Sequence, residues 1–132
     1  MTVEPLTFDK FQPGALIGRD QLVVERPLLE LWDQVYPQSR QPNLIPLGML
    51  SVIMMRAHSQ IVQPRPSGNI HLGQQFEVRH PIEIGQTMLA SVTCKDKRMS
   101  GARKLVSFSI AIADAMSGRA LLDGVNTMFW AA

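Results

Sequence analysis

The chain has 132 residues, a formal net charge of +2 and one cysteine, Cys94. This length is typical of one domain that buries a core without disulfides, so we expect a single domain over residues 1–132. The lone cysteine excludes an intramolecular disulfide, and the near-neutral charge provides no basic face for nucleic acid.

Prolines and glycines interrupt residues 1–18, which predicts an irregular segment with residues 1–15 as an N-terminal arm. This segment lacks the basic start and apolar stretch of a signal peptide, so we expect a cytoplasmic protein. QLVV at residues 21–24 predicts a short strand. A short helix is expected to begin at Pro27 and to end at Pro37. Its residues at helical spacing, expected to face the core, are Leu28, Leu31, Trp32 and Val35.

The next helix is apolar on nearly every side. NLIPLGMLSVIMMRAHSQIV, residues 43–62, has apolar residues around most of the helical circumference, and Pro64 ends the pattern. The apolar run is shorter than the roughly 20 residues needed to cross a bilayer, so we expect no membrane partner. A helix of this kind is expected to be enclosed by other elements of the fold.

Patterns of period two follow, and they predict strands at residues 69–78, 87–95, 104–113 and 120–130. Short connections between them predict an antiparallel sheet. In the first and last strands, the side chains expected to share a face are Ile70, Leu72, Phe76 and Val78, and Leu121, Val125, Thr127 and Phe129. In the middle strands they are Met88, Ala90, Val92 and Cys94, and Val106, Phe108, Ile110 and Ile112. The sequence therefore predicts an α+β architecture in which the sheet wraps the long helix.

Three segments resemble those of a known family. The first segment, IPLGMLSVIMMRA at residues 45–57, resembles the start of that family's central helix. The second, HLGQQFEVRHPIEIGQTM at residues 71–88, resembles its strand followed by a turn with proline and glycine. The third, SGRALLDGVNTMF at residues 117–129, resembles its last hairpin. In order and spacing they are similar to MaoC-like dehydratases and (R)-specific enoyl-thioester hydratases. The resemblance implies the hot-dog fold, an antiparallel sheet around a central helix. It also implies lyase chemistry on the acyl-thioesters of fatty acid metabolism, without a cofactor.

The catalytic signature of that family is missing. The family carries G-D-x-N-P-x-H before the central helix, and its aspartate and histidine act on a water and on the substrate α-carbon. Residues 35–49 contain neither residue type, and Leu47 stands where the family has a histidine at the helix start. The match is closest to the N-terminal, often non-catalytic type of MaoC domain, which implies a catalytic partner chain. The alternatives are a divergent stand-alone hydratase or dehydratase, a hot-dog acyl-CoA thioesterase, and a ligand-binding homodimer without chemistry.

Five residues are predicted to bind the substrate. Gly48, Met49 and Leu50 lie at the start of the long helix, where free backbone amides suit a thioester carbonyl. Lys97 and Arg98 belong to a basic hairpin that suits a phosphate of coenzyme A or of an acyl-carrier protein.

Few residues remain as candidates for chemistry. His71 and Asp123 are the remaining candidates for acid–base catalysis, although neither lies at a family position. His58 and Arg56 of the long helix are interpreted as structural, and Cys94 as an inert core residue. The three histidines are too scattered to predict a metal site.

A dimer is expected from two observations. The resemblance implies paired hot dogs, which makes either a homodimer or a heterodimer with a catalytic hot-dog subunit the predicted assembly. Independently, Leu89 and Leu105 fall on the second face of the predicted sheet, where apolar side chains gain from being covered.

Overall fold

The computed structural model describes residues 4–37 and 41–132. A short 3-10 turn spans Phe8–Lys10, and two α-helices and five strands follow. Their bounds are β1 Leu16–Val23, α1 Arg26–Val35, α2 Leu47–Ile61, β2 Ile70–Val78, β3 Thr87–Ser100, β4 Arg103–Asp114 and β5 Ala120–Trp130.

The strands form one antiparallel sheet in the order β1-β3-β4-β5-β2, so β1 and β2 are its edges. Tight turns join β3 to β4 and β4 to β5. Gly101 and Gly118 in these turns have φ of +61° and +76°, a region that L side chains rarely adopt. These turns therefore place three consecutive strands side by side.

Helix α2 lies in the concave face of the sheet and packs mainly against β1, β3 and β4. The face that it turns toward the sheet is buried and consists of Met49, Leu50, Ile53, Met54, Ala57 and His58. The middle strands bury the faces predicted for them, since all eight side chains are at most 2% exposed. The predicted wrapped helix in an α+β architecture is therefore confirmed.

The N-terminal arm seals one end of this core. The amide of Leu6 donates to Pro64 O at 2.8 Å, and the amide of Phe8 donates to Ala132 O at 2.7 Å. Phe11 is 3% exposed and meets Phe108 edge-to-face, with the ring centroids 5.4 Å apart. The segment is largely irregular, as predicted, but its backbone and aromatic contacts hold it against the core.

The first strand is longer than the sequence predicted. Strand β1 begins at Leu16, inside the segment expected to be irregular, and so the sheet has five strands among the described residues. Its pairing with β3 shifts register between Leu16 and Gly18. Residues 16–20 of this strand are defined by backbone pairing with β3, and the side-chain pattern predicted only the part from residue 21 onward.

The predicted inner face of α1 is also wrong in part. Leu29 is the buried residue, whereas Leu31 and Val35 are 57% and 63% exposed. Leu28 and Trp32 are partly buried and pack against the core, as expected. Only a narrow stripe of this helix contacts the core. The spacing of its apolar residues therefore predicts more buried residues than the structure has.

The two remaining strands differ from prediction as well. Pairing of β5 with β4 puts Asn126 opposite Phe108, so the buried side of β5 is the one opposite to that of Val125 and Phe129. In β2 a register shift between His71 and Gly73 interrupts the alternation of side chains between the two faces of the sheet. Its edge position leaves three of the four apolar residues predicted to share a face exposed: Ile70, Leu72 and Val78.

Candidate functional site

The start of α2 is the site where the sequence predicts substrate contact. Helix α2 follows Pro46, and no side chain caps its first turn. A Cβ on Gly48 would lie 2.9 Å from Cζ2 of Trp32, so the absence of a side chain allows the indole to pack there. Met49 and Leu50 are 1% and 4% exposed and lie in the core behind this turn. Substrate contact at Gly48, Met49 and Leu50 stays a prediction, and only Gly48 among them is exposed.

The loop before α2 is tied to the turn after β2. The amide of Ile45 donates to Ile82 O at 2.9 Å, and the amide of Ile84 donates to Asn43 O at 2.8 Å. Leu44 forms an isolated antiparallel bridge with Glu83. The family places its acid–base signature in this interval. Part of the interval, residues 38–40, lies outside the described residues.

A cavity of about 590 Å³ opens beside Leu44, and we call it the polar cleft. It is lined by two carboxylates, an arginine and a histidine together with amide, hydroxyl and apolar groups. The residues that matter for its chemistry are His80, Glu83, Gln86, Asp114, Ser117 and Arg119. The sequence pattern does not reveal this cluster because its members come from two turns, residues 80–86 and 114–119, that are far apart along the chain.

Both ring nitrogens of His80 are already engaged in the polar cleft. Arg119 Nη1 lies 2.8 Å from His80 Nε2, and Pro81 O lies 3.0 Å from His80 Nδ1. Because a guanidinium only donates hydrogen bonds, Nε2 must accept and Nδ1 must carry the proton. In this arrangement the lone pair of Nε2 already accepts a hydrogen bond from Arg119.

Asp114 is held as an anion by the turn between β4 and β5. Gln86 Nε2 donates to Asp114 Oδ1 at 2.9 Å, and the Ser117 amide and hydroxyl donate to Oδ2 at 2.7 and 2.8 Å. The hydrogen bond from Gln86, followed by those from Ser117, lowers the Asp114 pKa to about 2. A carboxylate so engaged is a poor proton acceptor, so the cleft's histidine and this aspartate form no free acid–base pair.

The two predicted catalytic candidates lie on opposite faces of the sheet. His71 stands opposite Met128 on the concave face, whereas Asp123 stands opposite Glu77 on the convex face. Asp123 also accepts two hydrogen bonds from Arg79, at 3.2 and 3.3 Å. These bonds raise the pKa of Arg79 above its usual value. The structure therefore does not bring His71 and Asp123 together.

The two basic residues of the predicted phosphate site point to different surroundings. Lys97 Nζ donates to Phe8 O at 2.9 Å and lies 4.9 Å from the centroid of the Phe8 ring, so it fastens the N-terminal arm. Arg98 is exposed and stands opposite Leu105 on the convex face. Phosphate binding by the pair stays a prediction.

His58 is buried without a hydrogen-bond partner. It is 0% exposed, neither ring nitrogen has a partner among the described residues, and its ring meets Phe108 edge-on at 4.9 Å. Burial lowers its pKa to about 4, with smaller contributions from Arg65 and His71. Nearby, Gln74 Nε2 donates to the fully buried Asn126 at 3.0 Å.

The described part of the chain contains no cluster of three metal-ligating side chains. Within the same residues, no helix is long and apolar enough to cross a membrane.

Neither a protein-family model nor a curated protein matches the sequence. Solved structures match over most of the chain. A MaoC-like dehydratase from Rhodospirillum rubrum superposes with a TM-score of 0.77 at 14% identity, covering 96% of this chain and 98% of that one. The chain has the hot-dog fold. The unliganded R-hydratase PhaJ1 of Pseudomonas aeruginosa gives a TM-score of 0.69 at 19% identity and covers 93% and 84% of the two chains.

The HadBC complex, a (3R)-hydroxyacyl-ACP dehydratase from Mycobacterium tuberculosis, also matches. Its TM-score is 0.72 at 12% identity, with 88% of this chain and 95% of that one covered. The predicted hot-dog fold is thereby confirmed. At these identities the likeness establishes the fold, and the function must be argued from the side chains.

Proposed function

We propose that this chain is a MaoC-like hot-dog subunit that binds an acyl-thioester and leaves the chemistry to a catalytic partner chain. The observation that carries the proposal is the absence of aspartate and histidine from the segment before α2, where the family has its catalytic signature. Residues 35–49 contain no aspartate or histidine, and in the polar cleft beside Leu44 the side chains of His80 and Asp114 are hydrogen-bonded to Arg119, Gln86 and Ser117.

The β2 edge supports a partner chain. Ile70, Leu72 and Val78 are 55%, 45% and 44% exposed, and the outer backbone groups of an edge strand are free to pair. An antiparallel match with the same strand of a second hot dog would continue the sheet and cover these side chains. HadBC is described as a complex, and its likeness favours a partner that is not identical.

An apolar surface beside the helix start suits the acyl chain. Leu31, Val35, Tyr36 and Leu47 are all more than half exposed, and the Tyr36 ring contacts Trp32 at a tilt of 38° with the ring centroids 4.5 Å apart. Exposed apolar surface next to a ligand-binding helix terminus is typical of a binding groove or an interface. We assign this surface, shared with the partner, to the acyl group. We place the protein in the cytoplasm, where Cys94 stays a thiol.

Hydration of crotonyl-CoA tests the proposal. The purified chain should give no turnover. Co-expression with a neighbouring hot-dog reading frame that carries G-D-x-N-P-x-H should give a complex that hydrates the substrate. Changing the partner's aspartate to asparagine should abolish that activity and leave the complex intact. Turnover by the lone chain that is lost in His71→Ala or Asp123→Ala would instead establish the stand-alone hydratase. Release of free coenzyme A would establish the thioesterase.

A further inference from the structure

A second cavity, of about 280 Å³, lies at the other end of the sheet. It is formed by the turn between β3 and β4, the start of β2 and the end of β5. Its main lining residues are Ile70, Ala102, Arg103, Lys104, Phe129 and Ala131, and we call it the basic cleft.

The charge around the basic cleft is strongly positive. Residues 95–104 contain five basic residues and one acid, Asp96, which gives a net charge of 5 − 1 = +4. No acidic residue lines the cleft, and neither Arg103 nor Lys104 forms a salt bridge with a described residue. A recess with this charge attracts an anion and holds it by charge-assisted hydrogen bonds.

The floor of the cleft is aromatic. The Arg103 guanidinium lies 4.9 Å from the centroid of the Phe129 ring. Leu105 and Ile70 stand opposite Phe129 on the two neighbouring strands and hold the ring in place. A planar guanidinium held on an aromatic ring can itself stack on a nucleobase.

One more group beside the cleft has no partner. Asn69 adjoins Ile70, and its Oδ1 accepts a hydrogen bond from the amide of Ala131 at 2.8 Å, which fixes the orientation of the side-chain amide. Its Nδ2 is buried and has no partner among the described residues. Buried donors of this kind normally find an acceptor, so an unused donor lies next to two lining residues.

We propose that the basic cleft binds the phosphorylated adenosine end of coenzyme A. This proposal deepens the proposed function, on which it rests. Phosphate suits Arg103 and Lys104, and a purine suits the Arg103–Phe129 stack. A small recess with an aromatic floor fits a single ring system better than the broad surface of an acyl-carrier protein. The substrate class is therefore a coenzyme A thioester.

The basic cleft is expected to bind the nucleotide of a substrate whose thioester lies in the partner chain's catalytic site. Lys104 lines the basic cleft and Asp114 lines the polar cleft, and the ten residue steps between them on β4 span about 33 Å. Antiparallel pairing at β2 brings Ile70 beside the far end of the corresponding strand of the partner. The nucleotide held by this chain thus lies near the partner's helix start, where the family carries its acid and base.

Calorimetric titration with 3′-phosphoadenosine 5′-diphosphate tests nucleotide binding by the chain itself. Arg103→Ala and Lys104→Ala should each weaken binding about tenfold, the effect expected for losing one charged hydrogen bond. Lys95→Ala removes the same charge from the same hairpin outside the cleft and should change binding less than twofold. Arg103→Lys keeps the charge but loses the planar stack, and it should bind several-fold more weakly than the unchanged chain. Equal losses in Lys95→Ala and Arg103→Ala, or no binding, would overturn the proposal.

Kinetics of the complex test the role toward the partner. Arg103→Ala should raise the KM for crotonyl-CoA about tenfold with little change in kcat, because the nucleotide is bound equally in the ground and transition states. The KM for crotonyl-pantetheine, which lacks the nucleotide, should not change. A complex that hydrates only acyl-carrier-protein substrates would refute this inference and leave the proposed function standing. Nucleotide binding without turnover in any complex would refute the proposed function alone.

Discussion

The two edges of the sheet are built differently. Strand β1 carries Arg19 and Asp20 in its middle, and Leu22 near its end and Val24 just after it are buried in the core. Strand β2 has no charged residue from Leu72 to Phe76, and most of its apolar side chains are exposed. Charges in mid-strand discourage a neighbouring chain from adding to an edge. The contrast supports the proposal that a partner chain pairs with β2 and not with β1.

The largest expected effect comes from detaching β2. A Cβ on Gly124 would lie 2.0 Å from Gln75 O and 2.8 Å from Cα of Phe76, and backbone atoms cannot make way for it. We expect Gly124→Ala to lower the free energy of unfolding by about 3 kcal/mol or more, measured by urea denaturation. Gly73→Ala, on the paired strand, meets nothing within 4 Å and is the matched control, with an expected change below about 1 kcal/mol. Equal effects would mean that β2 contributes little to the fold.

The protonation of His58 tests whether water is excluded from the core around this buried histidine. Its pKa is about 4 in the folded chain and about 6.5 in the unfolded chain. The unfolded state therefore takes up a proton below pH 6.5 while the folded state does not. Stability is full above pH 6.5 and falls by about 3 kcal/mol as the pH drops to 4.

The measurement is the unfolding free energy at several pH values, compared with His58→Leu. The variant should lack this pH-dependent loss, whereas His80→Asn, a change at a hydrogen-bonded histidine of the polar cleft, should retain it. A wild-type chain as stable at pH 4.5 as at pH 7 would mean that water reaches His58.

Two matched variants, one on each edge strand of the sheet, test whether β2 and not β1 pairs with a partner. Leu72→Lys puts a charge on β2 and should weaken association with the partner at least tenfold, about 1.4 kcal/mol, in an equilibrium sedimentation assay. Leu16→Lys makes the same change at a similarly exposed residue of β1 and should leave association unchanged. Loss of the complex in Leu16→Lys alone would reverse the assignment of the two edges.

The smallest expected effect comes from Gly48→Ala, which tests whether Gly48 is needed for helix packing or for ligand contact. Gly48→Ala must displace the Trp32 ring by a few tenths of an ångström, which we expect to cost about 1 kcal/mol of unfolding free energy. A double variant with Trp32→Leu should recover most of that loss. If Gly48→Ala instead leaves stability unchanged and lowers only substrate affinity, the glycine is present for the ligand.

The buried face of a strand could be predicted from the sequence where apolar and polar side chains alternate along it. Strands β3 and β4 lie in the middle of the sheet with one face covered, so Met88 to Cys94 and Val106 to Ile112 alternate cleanly. The prediction was incomplete or wrong for the other three strands. Strand β1 is defined in part by backbone pairing, β2 is an edge strand with a register shift at Leu72, and the interior strand β5 buries the face opposite to the predicted one. The polar cleft could not be predicted, since His80 and Arg119 are 39 residues apart and meet only in the folded chain.

Turnover of crotonyl-CoA by the purified chain, before and after the partner is added, tests the central claim most directly. We predict no measurable hydration by this chain alone and full activity in the complex, because residues 35–49 lack aspartate and histidine and because His80 and Asp114 of the polar cleft are already hydrogen-bonded. Hydration by the isolated chain at the rate of the complex would contradict the account.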